Sequence, residues 1–269
     1  MPVISKISVQ QKNKGRFNIF FKKTDEEEFG FGVSEDILIQ YNLHKGMELS
    51  EEDIKQLKNK DELHKSYTRA IHYLSYRMRS EKEMYDYLID KEVTEEDARD
   101  VINRLYKENL LDDEAFAKSY VQSKIATSSK GPVVLKQELS KKGVAEDYRL
   151  SALEQYSFED QYEKALKFGM KKVNDTSKKA FQQKLQTAKQ SMMQKGFTQD
   201  VIQEVAARLA EEKEDSSERT ALELQGEKAI RKYEKKAEGF ELKQKVMASL
   251  YRKGFSGDLI REFLEEKGY

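Results

Sequence analysis

A short pattern that ends one helix and begins the next recurs along this chain. Lys142-Gly143-Val144, Lys195-Gly196-Phe197 and Lys253-Gly254-Phe255 each follow an apolar helical stretch, and Lys91-Glu92-Val93 repeats the pattern without the glycine. Glycine suits such a turn because helices often end in a left-handed residue, a conformation that costs glycine little. The four closing apolar residues are 51, 53 and 58 positions apart. This near-constant period predicts an internal repeat, each copy holding about three helices.

The composition fits helices that each bury one face. Charged residues make up 36% of the chain and hydrophobic residues 38%, and only 2 prolines interrupt it. The absence of cysteine excludes disulfides and thiolate chemistry and is compatible with a reducing cytosol. No apolar run approaches the roughly 20 residues of a membrane span, so we expect a cytoplasmic protein without membrane contact.

The first fifty residues differ from the rest of the chain. Apolar residues alternate with period two around Ile7–Val9, Phe17–Phe21 and Phe29–Val33, which predicts three half-buried strands in a small antiparallel meander. Ser34 then opens a short helix. Beyond it, helix starts are predicted at three residues that each precede an acidic residue by three positions: Ser50, Ser80 and Thr94.

We therefore expect a mainly α fold, an elongated array of tandem three-helix repeats after a small N-terminal β-rich domain. Heptad regularity fails over long spans, which makes a coiled coil the weaker alternative. The predicted boundaries are 1–65 for the β-meander with its short helices, and 66–112, 113–157, 158–212 and 220–269 for repeats one to four.

The most enzyme-like cluster is Asp112-Asp113-Glu114. Paired carboxylates can hold a divalent metal, but one of these aspartates is better explained as the cap of the helix that follows. The three histidines show no ligand spacing, and the chain has no phosphate-binding or nucleophile-elbow motif. The sequence thus predicts no catalytic residue, no metal site and no cofactor.

Charge is distributed unevenly in this neutral chain. Residues 80–114 contain thirteen acidic and five basic residues, whereas residues 164–196 contain nine lysines and one acidic residue. Charge runs often coat a solvated face, but a lysine patch also suits phosphate-backbone contact with single- or double-stranded DNA. The candidate phosphate-binding residues are Lys164, Lys167, Lys171, Lys172, Lys178, Lys179, Lys184 and Lys189.

Three stretches that together cover about residues 67–156 resemble the signatures of the RecX family of recombinase regulators. The first is Ala70-x-x-x-Leu74-x-x-Arg77-x-Arg79-Ser80-x-x-Glu83-Met84-x-x-x-Leu88-x-x-Lys91. The second is Leu105-x-x-x-x-Leu110-Leu111-Asp112-Asp113-Glu114-x-Phe116-Ala117-x-x-Tyr120. The third is Lys130-Gly131-Pro132-x-x-Leu135-x-x-Glu138-Leu139-x-x-Lys142-Gly143-Val144. Met84 replaces the usual leucine of the family, and Glu92 replaces the glycine of the first turn.

The resemblance implies a non-enzymatic, monomeric protein that binds the RecA nucleoprotein filament. Family members modulate the ATPase, strand-exchange and co-protease activities of that filament in recombination, DNA repair and the SOS response. Four basic residues recur in the matched signatures although a helical core does not require them, so they are candidate filament-binding residues: Arg77, Arg79, Lys130 and Lys142. The alternative is that they pair locally with Glu81, Glu83 or Glu138.

Two other functions remain open from the sequence. An unrelated helical scaffold would bind only proteins and would show no salt-dependent affinity for DNA. A metal-dependent hydrolase using Asp112 and Asp113 would bind a divalent metal and lose activity when both are replaced by alanine.

Overall fold

The computed structural model describes residues 1–23, 26–175, 179–211 and 215–269. Within those ranges the chain forms three strands followed by thirteen helices, which confirms a mainly α fold with a small N-terminal sheet. It divides into two compact units, one comprising Met1–Phe116 with Lys142–Val144 and the other comprising Ala117–Lys141 with Ala145–Tyr269. No helix in the described ranges is long and apolar enough to cross a membrane.

The elements follow one another without a long irregular connection in the described ranges. The strands are β1 (Ile4–Val9), β2 (Arg16–Lys23) and β3 (Glu26–Ser34). The helices up to the second glycine turn are α1 (Glu35–Gln40), α2 (Glu51–Tyr76), α3 (Glu81–Asp90), α4 (Glu95–Lys107), α5 (Asp113–Thr127), α6 (Pro132–Lys141), α7 (Glu146–Leu153), α8 (Phe158–Val173) and α9 (Phe181–Lys195). The remaining helices are α10 (Gln199–Glu211), α11 (Asp215–Tyr233), α12 (Gly239–Arg252) and α13 (Gly257–Glu266).

The predicted antiparallel meander is confirmed, with strand order β1-β2-β3. Its register shifts where Ile19 pairs with Phe31 but the neighbouring Phe20 pairs with Phe29, leaving Gly30 as the extra residue of a bulge. The bulge turns Phe29 away from the buried face, and its side chain is 57% exposed. The prediction that Phe29 shares the buried face of Phe31 was therefore wrong, because a bulge shifts the two-residue period by one position.

Side chains at the predicted helix starts satisfy first-turn amides that have no partner within the helix. Ser50 accepts a hydrogen bond from the amide of Asp53 at 3.0 Å, and Thr94 accepts one from the amide of Asp97 at 3.1 Å. Ser80 does the same for Glu83. These caps explain why α2, α3 and α4 begin at Glu51, Glu81 and Glu95.

Each glycine turn has the expected left-handed backbone. The φ angles are +81° at Gly143, +83° at Gly196 and +87° at Gly254, and Glu92 takes the same conformation with φ +61°. The apolar residues that follow the glycines are buried: Val144, Phe197 and Phe255. Val93, which follows Glu92, is only half-buried. The repeated pattern therefore marks equivalent turns in all four repeats.

The glycine turns of the second and third repeats pack against the start of an earlier helix. A Cβ atom at Gly143 would lie 2.6 Å from the Cβ of Lys82, in the first turn of α3. A Cβ atom at Gly196 would lie 2.6 Å from the backbone nitrogen of Val134, in the first turn of α6. Only glycine allows these approaches without displacing the neighbouring helix.

The glycine turn of the fourth repeat makes the same contact less tightly. A Cβ atom at Gly254 would lie 3.3 Å from the Cβ of Gln182, in the first turn of α9. We call this contact, in which a turn packs on the start of the second helix of the preceding repeat, the inter-repeat contact. Backbone hydrogen bonds reinforce it in the third repeat, where the amide of Gly131 donates to the carbonyl of Lys195 at 2.7 Å.

Candidate functional site

The candidate filament-binding residues Arg77 and Lys142 converge on one carboxylate. Glu83 is the third residue of α3, and its side chain accepts a hydrogen bond from the amide of Ser80 at 3.4 Å. Arg77 donates to both carboxylate oxygens of Glu83 at 3.0 Å, and Lys142 donates to one of them at 2.6 Å. The carboxylate therefore serves a helix cap and two cations at once.

The electrostatics of Glu83 follow from this arrangement. Burial disfavours the ionised carboxylate, but the hydrogen bonds and charges of Arg77 and Lys142 outweigh burial and lower the pKa of Glu83 to about 2. The same hydrogen bonds, which Arg77 donates to Glu83, raise the pKa of Arg77. Both groups are therefore charged at neutral pH, and the side chain of Arg77 remains 48% exposed.

Ser80 completes the link between α3 and the glycine turn of the second repeat, at Gly143. Its hydroxyl is fully buried and donates to the backbone carbonyl of Lys142 at 2.7 Å. Asp113 adds a further cap, because its carboxylate accepts a hydrogen bond from the amide of Glu81 at 2.7 Å. The first turn of α3 is thus held by a serine, an aspartate and the inter-repeat contact.

Arg79 differs from Arg77 because it stacks on a ring instead of pairing with a carboxylate. Its guanidinium lies 3.9 Å from the centre of the Tyr73 ring, and that ring stacks on Tyr87 with centroids 3.9 Å apart and planes inclined by 5°. The Nε atom of Arg79 is buried without a hydrogen-bond partner. The arginine therefore contributes cation–π contact to the packing of α2 against α3.

Lys130 pairs with Glu138, and this pair lies in the second unit. The same glutamate accepts a hydrogen bond from the Tyr120 hydroxyl at 2.9 Å. Burial raises the pKa of Glu138, but the bonds from Lys130 and Tyr120 lower it by more. The local pairing that the sequence left open is thus present for Arg77, Lys130 and Lys142, while their contact with a filament stays a prediction.

The carboxylates that raised the possibility of a metal site act as caps at two different helices. Asp112 accepts a hydrogen bond from the amide of Ala115 at 2.9 Å, at the start of its own helix α5. Asp113 caps α3, and burial raises its pKa. No group of three or more potential ligands that could hold a metal ion occurs within the described ranges.

Two of the candidate phosphate-binding lysines are engaged inside the second unit. Lys164 donates to the backbone carbonyls of Ile125 and Ser128, and burial lowers its pKa. Lys184 is only 7% exposed and donates to the carbonyl of Asp175 at 2.6 Å. Their ammonium groups therefore satisfy backbone carbonyls inside the protein.

The other candidate lysines vary in their exposure. Lys189 is half-buried, and Lys178 lies outside the described residues. The exposed ones are Lys167, Lys171, Lys172 and Lys179. We call these four the exposed lysine set.

Sequence reasoning missed the role of Glu83 as a shared acceptor. The Ser80-x-x-Glu83 spacing marks it as half of a capping box, and this signal was available. Its bond to Lys142 joins residues 59 positions apart, and no local pattern reports such a contact.

Family models for RecX match most of the chain. They match as the N-terminal domain over residues 2–50, as the first three-helix domain over 67–105, as the second over 112–153, and as the third twice, over 159–206 and 217–264. The repeat of the third model agrees with an internal duplication in the last hundred residues.

Curated relatives and solved structures give the same result. The chain is 49% identical to "Regulatory protein RecX" of Oceanobacillus iheyensis, covering 99% of this chain and 98% of the relative. It is 40% identical to the protein of that name from Bacillus subtilis, over the full length of both. A crystal structure described as "regulatory protein RecX" superposes with a TM-score of 0.69 at 35% identity, covering 76% of this chain and 98% of that one. A crystal structure of RecX from Lactobacillus salivarius gives a TM-score of 0.53 at 36% identity, covering 56% and 97%.

Proposed function

The chain belongs to the RecX family, and on that premise we propose that it binds the filament formed by the RecA recombinase on single-stranded DNA. Binding lowers the ATPase, strand-exchange and co-protease activities of the filament. The observation that carries the proposal is the match to proteins named as regulators over essentially the full chain. The protein acts by binding in the cytoplasm, without chemistry of its own.

The first proposed contact surface surrounds Glu83. Arg77 is held in a fixed orientation by its two bonds to Glu83 while 48% of its side chain stays exposed. An arginine held in this way loses little side-chain entropy when a second carboxylate binds it. Arg77 is therefore the strongest candidate of the four basic residues for contact with the recombinase, with Arg79 and Lys142 supporting this surface from within the fold. Lys130 is a separate candidate in the second unit.

The second proposed contact is with DNA phosphates through the exposed lysine set. Lys167, Lys171 and Lys172 lie on α8, and Lys179 precedes α9. Lysine ammonium groups neutralise phosphates without reading base sequence. A regulator on a nucleoprotein filament lies near phosphates, so this set lowers the electrostatic cost of approach.

The test is the rate of ATP hydrolysis by RecA on single-stranded DNA, measured with increasing amounts of this protein. We expect the rate to fall. An unrelated ATPase that depends on single-stranded DNA serves as the control, because it responds only if the protein sequesters DNA. A recombinase rate that does not change at saturating protein would refute the proposal and favour a helical scaffold unrelated to DNA.

A further inference from the structure

The inter-repeat contact leaves one turn and one helix start without a counterpart among the described residues. The turn is Lys91–Val93 of the first repeat, which has the left-handed backbone of the glycine turns. The helix start is that of α12, where Gly239 has no atom within 4 Å of the position that a Cβ would occupy. The next residue, Phe240, is 74% exposed. These two surfaces are the two halves of a contact that the chain makes three times internally.

The unmatched turn and helix start differ from the internal ones in where their side chains lie. The internal turns carry glycine and dock on helices that begin with a side chain, namely α3, α6 and α9, whose first residues are Glu81, Pro132 and Phe181. The remaining turn carries a side chain, Glu92, and the remaining helix begins with glycine. The internal turns meet the second or third residue of their helix, namely Lys82, Val134 or Gln182. The second residue of α12 is the exposed Phe240, so an apolar side chain is available where a turn would dock.

The charges of these two surfaces are complementary. Residues 90–97 around the turn contain five acidic and one basic residue, a net charge of −4. Residues 228–245 around the start of α12 contain seven basic and three acidic residues, a net charge of +4. The N-cap residue of α12, Glu238, makes no side-chain cap hydrogen bond. The first turn of α12 also contains Glu241, whose carboxylate is paired with Lys245, so the uncapped first-turn amides can donate to a further carboxylate such as that of Glu92.

We propose that the Lys91–Val93 turn of one copy docks on the start of α12 of a second copy, so that copies associate head to tail. In this arrangement the turn meets Phe240, which is covered by the apolar residues Ile89 and Val93 of the other copy. The contact is heterologous, because each copy offers a different surface, so a pair keeps one open surface of each kind. The association itself does not depend on the proposed function, whereas its effect on a filament rests on that function.

The expected strength is low. A three-residue turn buries far less area than the roughly 1,200–2,000 Å² of a stable interface, so dilute protein is a monomer. Association becomes significant when copies are concentrated along a common lattice, where the second contact is effectively intramolecular. Copies on one filament would then bind cooperatively.

The first test is sedimentation velocity over a wide concentration range. The wild-type protein should sediment faster as its concentration rises, and added salt should weaken this effect. Glu92→Lys reverses the charge of the turn, and Phe240→Asp replaces the apolar side chain of the helix start. Each change disrupts one side of the contact, so each variant should remain monomeric. Both side chains are exposed, so circular dichroism should show intact folds.

An equimolar mixture of the two variants separates this arrangement from others. Phe240→Asp keeps the turn intact, and Glu92→Lys keeps the α12 surface intact. The mixture should therefore form a dimer, and because its two remaining surfaces are disrupted, no larger species should follow. A mixture that stays monomeric overturns the proposal, as does wild-type protein that is monomeric throughout. If, in addition, Phe240→Asp abolishes recombinase inhibition, the surface belongs to the recombinase instead.

A second measurement leaves Glu92 and Phe240 unchanged. The chain has no cysteine, so single cysteines report one position each. Glu96→Cys and Lys236→Cys, mixed with a short bismaleimide, should give a cross-linked dimer, while neither alone should. In the matched control, Gln203→Cys, on the exposed side of α10, is mixed with Glu96→Cys in place of Lys236→Cys. If Glu96→Cys cross-links equally well to Gln203→Cys and to Lys236→Cys, head-to-tail association is contradicted.

Discussion

The ammonium group of Lys142 lies 2.6 Å from the carboxylate of Glu83, although 59 positions separate the two residues in the chain. This bond fastens the glycine turn of the second repeat to the start of α3. Arg77 binds the same carboxylate from the end of α2. Basic residues in the matched signatures thus stabilise the fold, and any test of their role in binding must separate the two effects.

The stability contributed by Glu83 should depend on pH. Its pKa in the folded protein is about 2, below the ordinary value of 4.5. The contribution is therefore fully present above about pH 4.5 and is lost as the pH falls towards about 2. Glu83→Gln should lower the unfolding free energy by on the order of 1–2 kcal/mol near neutral pH, allowing for partial solvent screening. Urea unfolding of both proteins should show this gap shrinking on acidification; a gap independent of pH would contradict the assignment.

Gly196→Ala should lower the free energy of unfolding by more than the strain of a left-handed alanine alone would. Gly46 is the matched control, because its φ is +89° and a Cβ there would meet nothing within 4 Å. Gly46→Ala should cost about 1–2 kcal/mol from backbone strain. Gly196→Ala should cost about 1–3 kcal/mol more, since the added methyl group collides with the backbone of Val134. Equal losses in denaturant unfolding would mean that the turn moves away from α6 easily.

Phe197→Ala should cost about 3–5 kcal/mol because the ring is buried in the core of the third repeat. Phe240→Ala removes the same atoms from an exposed position and should change stability by less than about 0.5 kcal/mol. Chemical unfolding of the two variants checks both values. Comparable losses would place the ring of Phe197 outside the core.

Arg77→Gln should weaken inhibition of the recombinase if Arg77 contacts the filament. Glu83→Gln is the matched control, because it breaks the same ion pair and leaves the arginine in place. Reversing the charges of Arg77 and Arg79 together is a poorer test, since it would set a carboxylate beside Glu83 and remove the stacking on Tyr73. Inhibition by Arg77→Gln at the wild-type level in the ATPase assay would assign Arg77 to stability alone.

Replacing the exposed lysine set with glutamine should weaken DNA binding and flatten its dependence on salt. Four neutralised phosphates of a single strand give a slope of about −3 in log affinity against log salt. The control variant carries the same loss of charge at Lys12, Lys14, Lys55 and Lys60, which are exposed near the N-terminal sheet. Fluorescence anisotropy over a range of salt concentrations measures both slopes. The same slope in the two variants would leave the exposed lysine set with a role in solubility only.

The sequence predicted what depends on neighbouring residues. Alternating apolar residues predicted the three strands, and the caps at Ser50, Ser80 and Thr94 predicted where helices begin. The turns were found because glycine is required by a local backbone angle. These features are encoded within a few positions, so a single sequence is enough to identify them.

What the sequence could not predict depends on contacts between distant residues. The bulge at Gly30 reverses the exposure of Phe29, yet the residues around it alternate regularly. Counting charges ranked Lys164 and Lys184 with the exposed lysines, but charge alone does not say which way a side chain points. The packing of Gly143 on α3 likewise depends on a helix that lies in the preceding repeat.

The inter-repeat contact also sets an order for folding during synthesis. Ser80 finds its partner, the carbonyl of Lys142, 62 residues later in the chain. While the ribosome is still making the second repeat, the start of α3 therefore lacks the turn that packs on it. Because chains fold from the N-terminus as they emerge, the first and second repeats reach their final hydrogen bonding only when the turn of the next repeat has left the exit tunnel. Folding of these repeats thus lags behind their synthesis by about the length of one repeat.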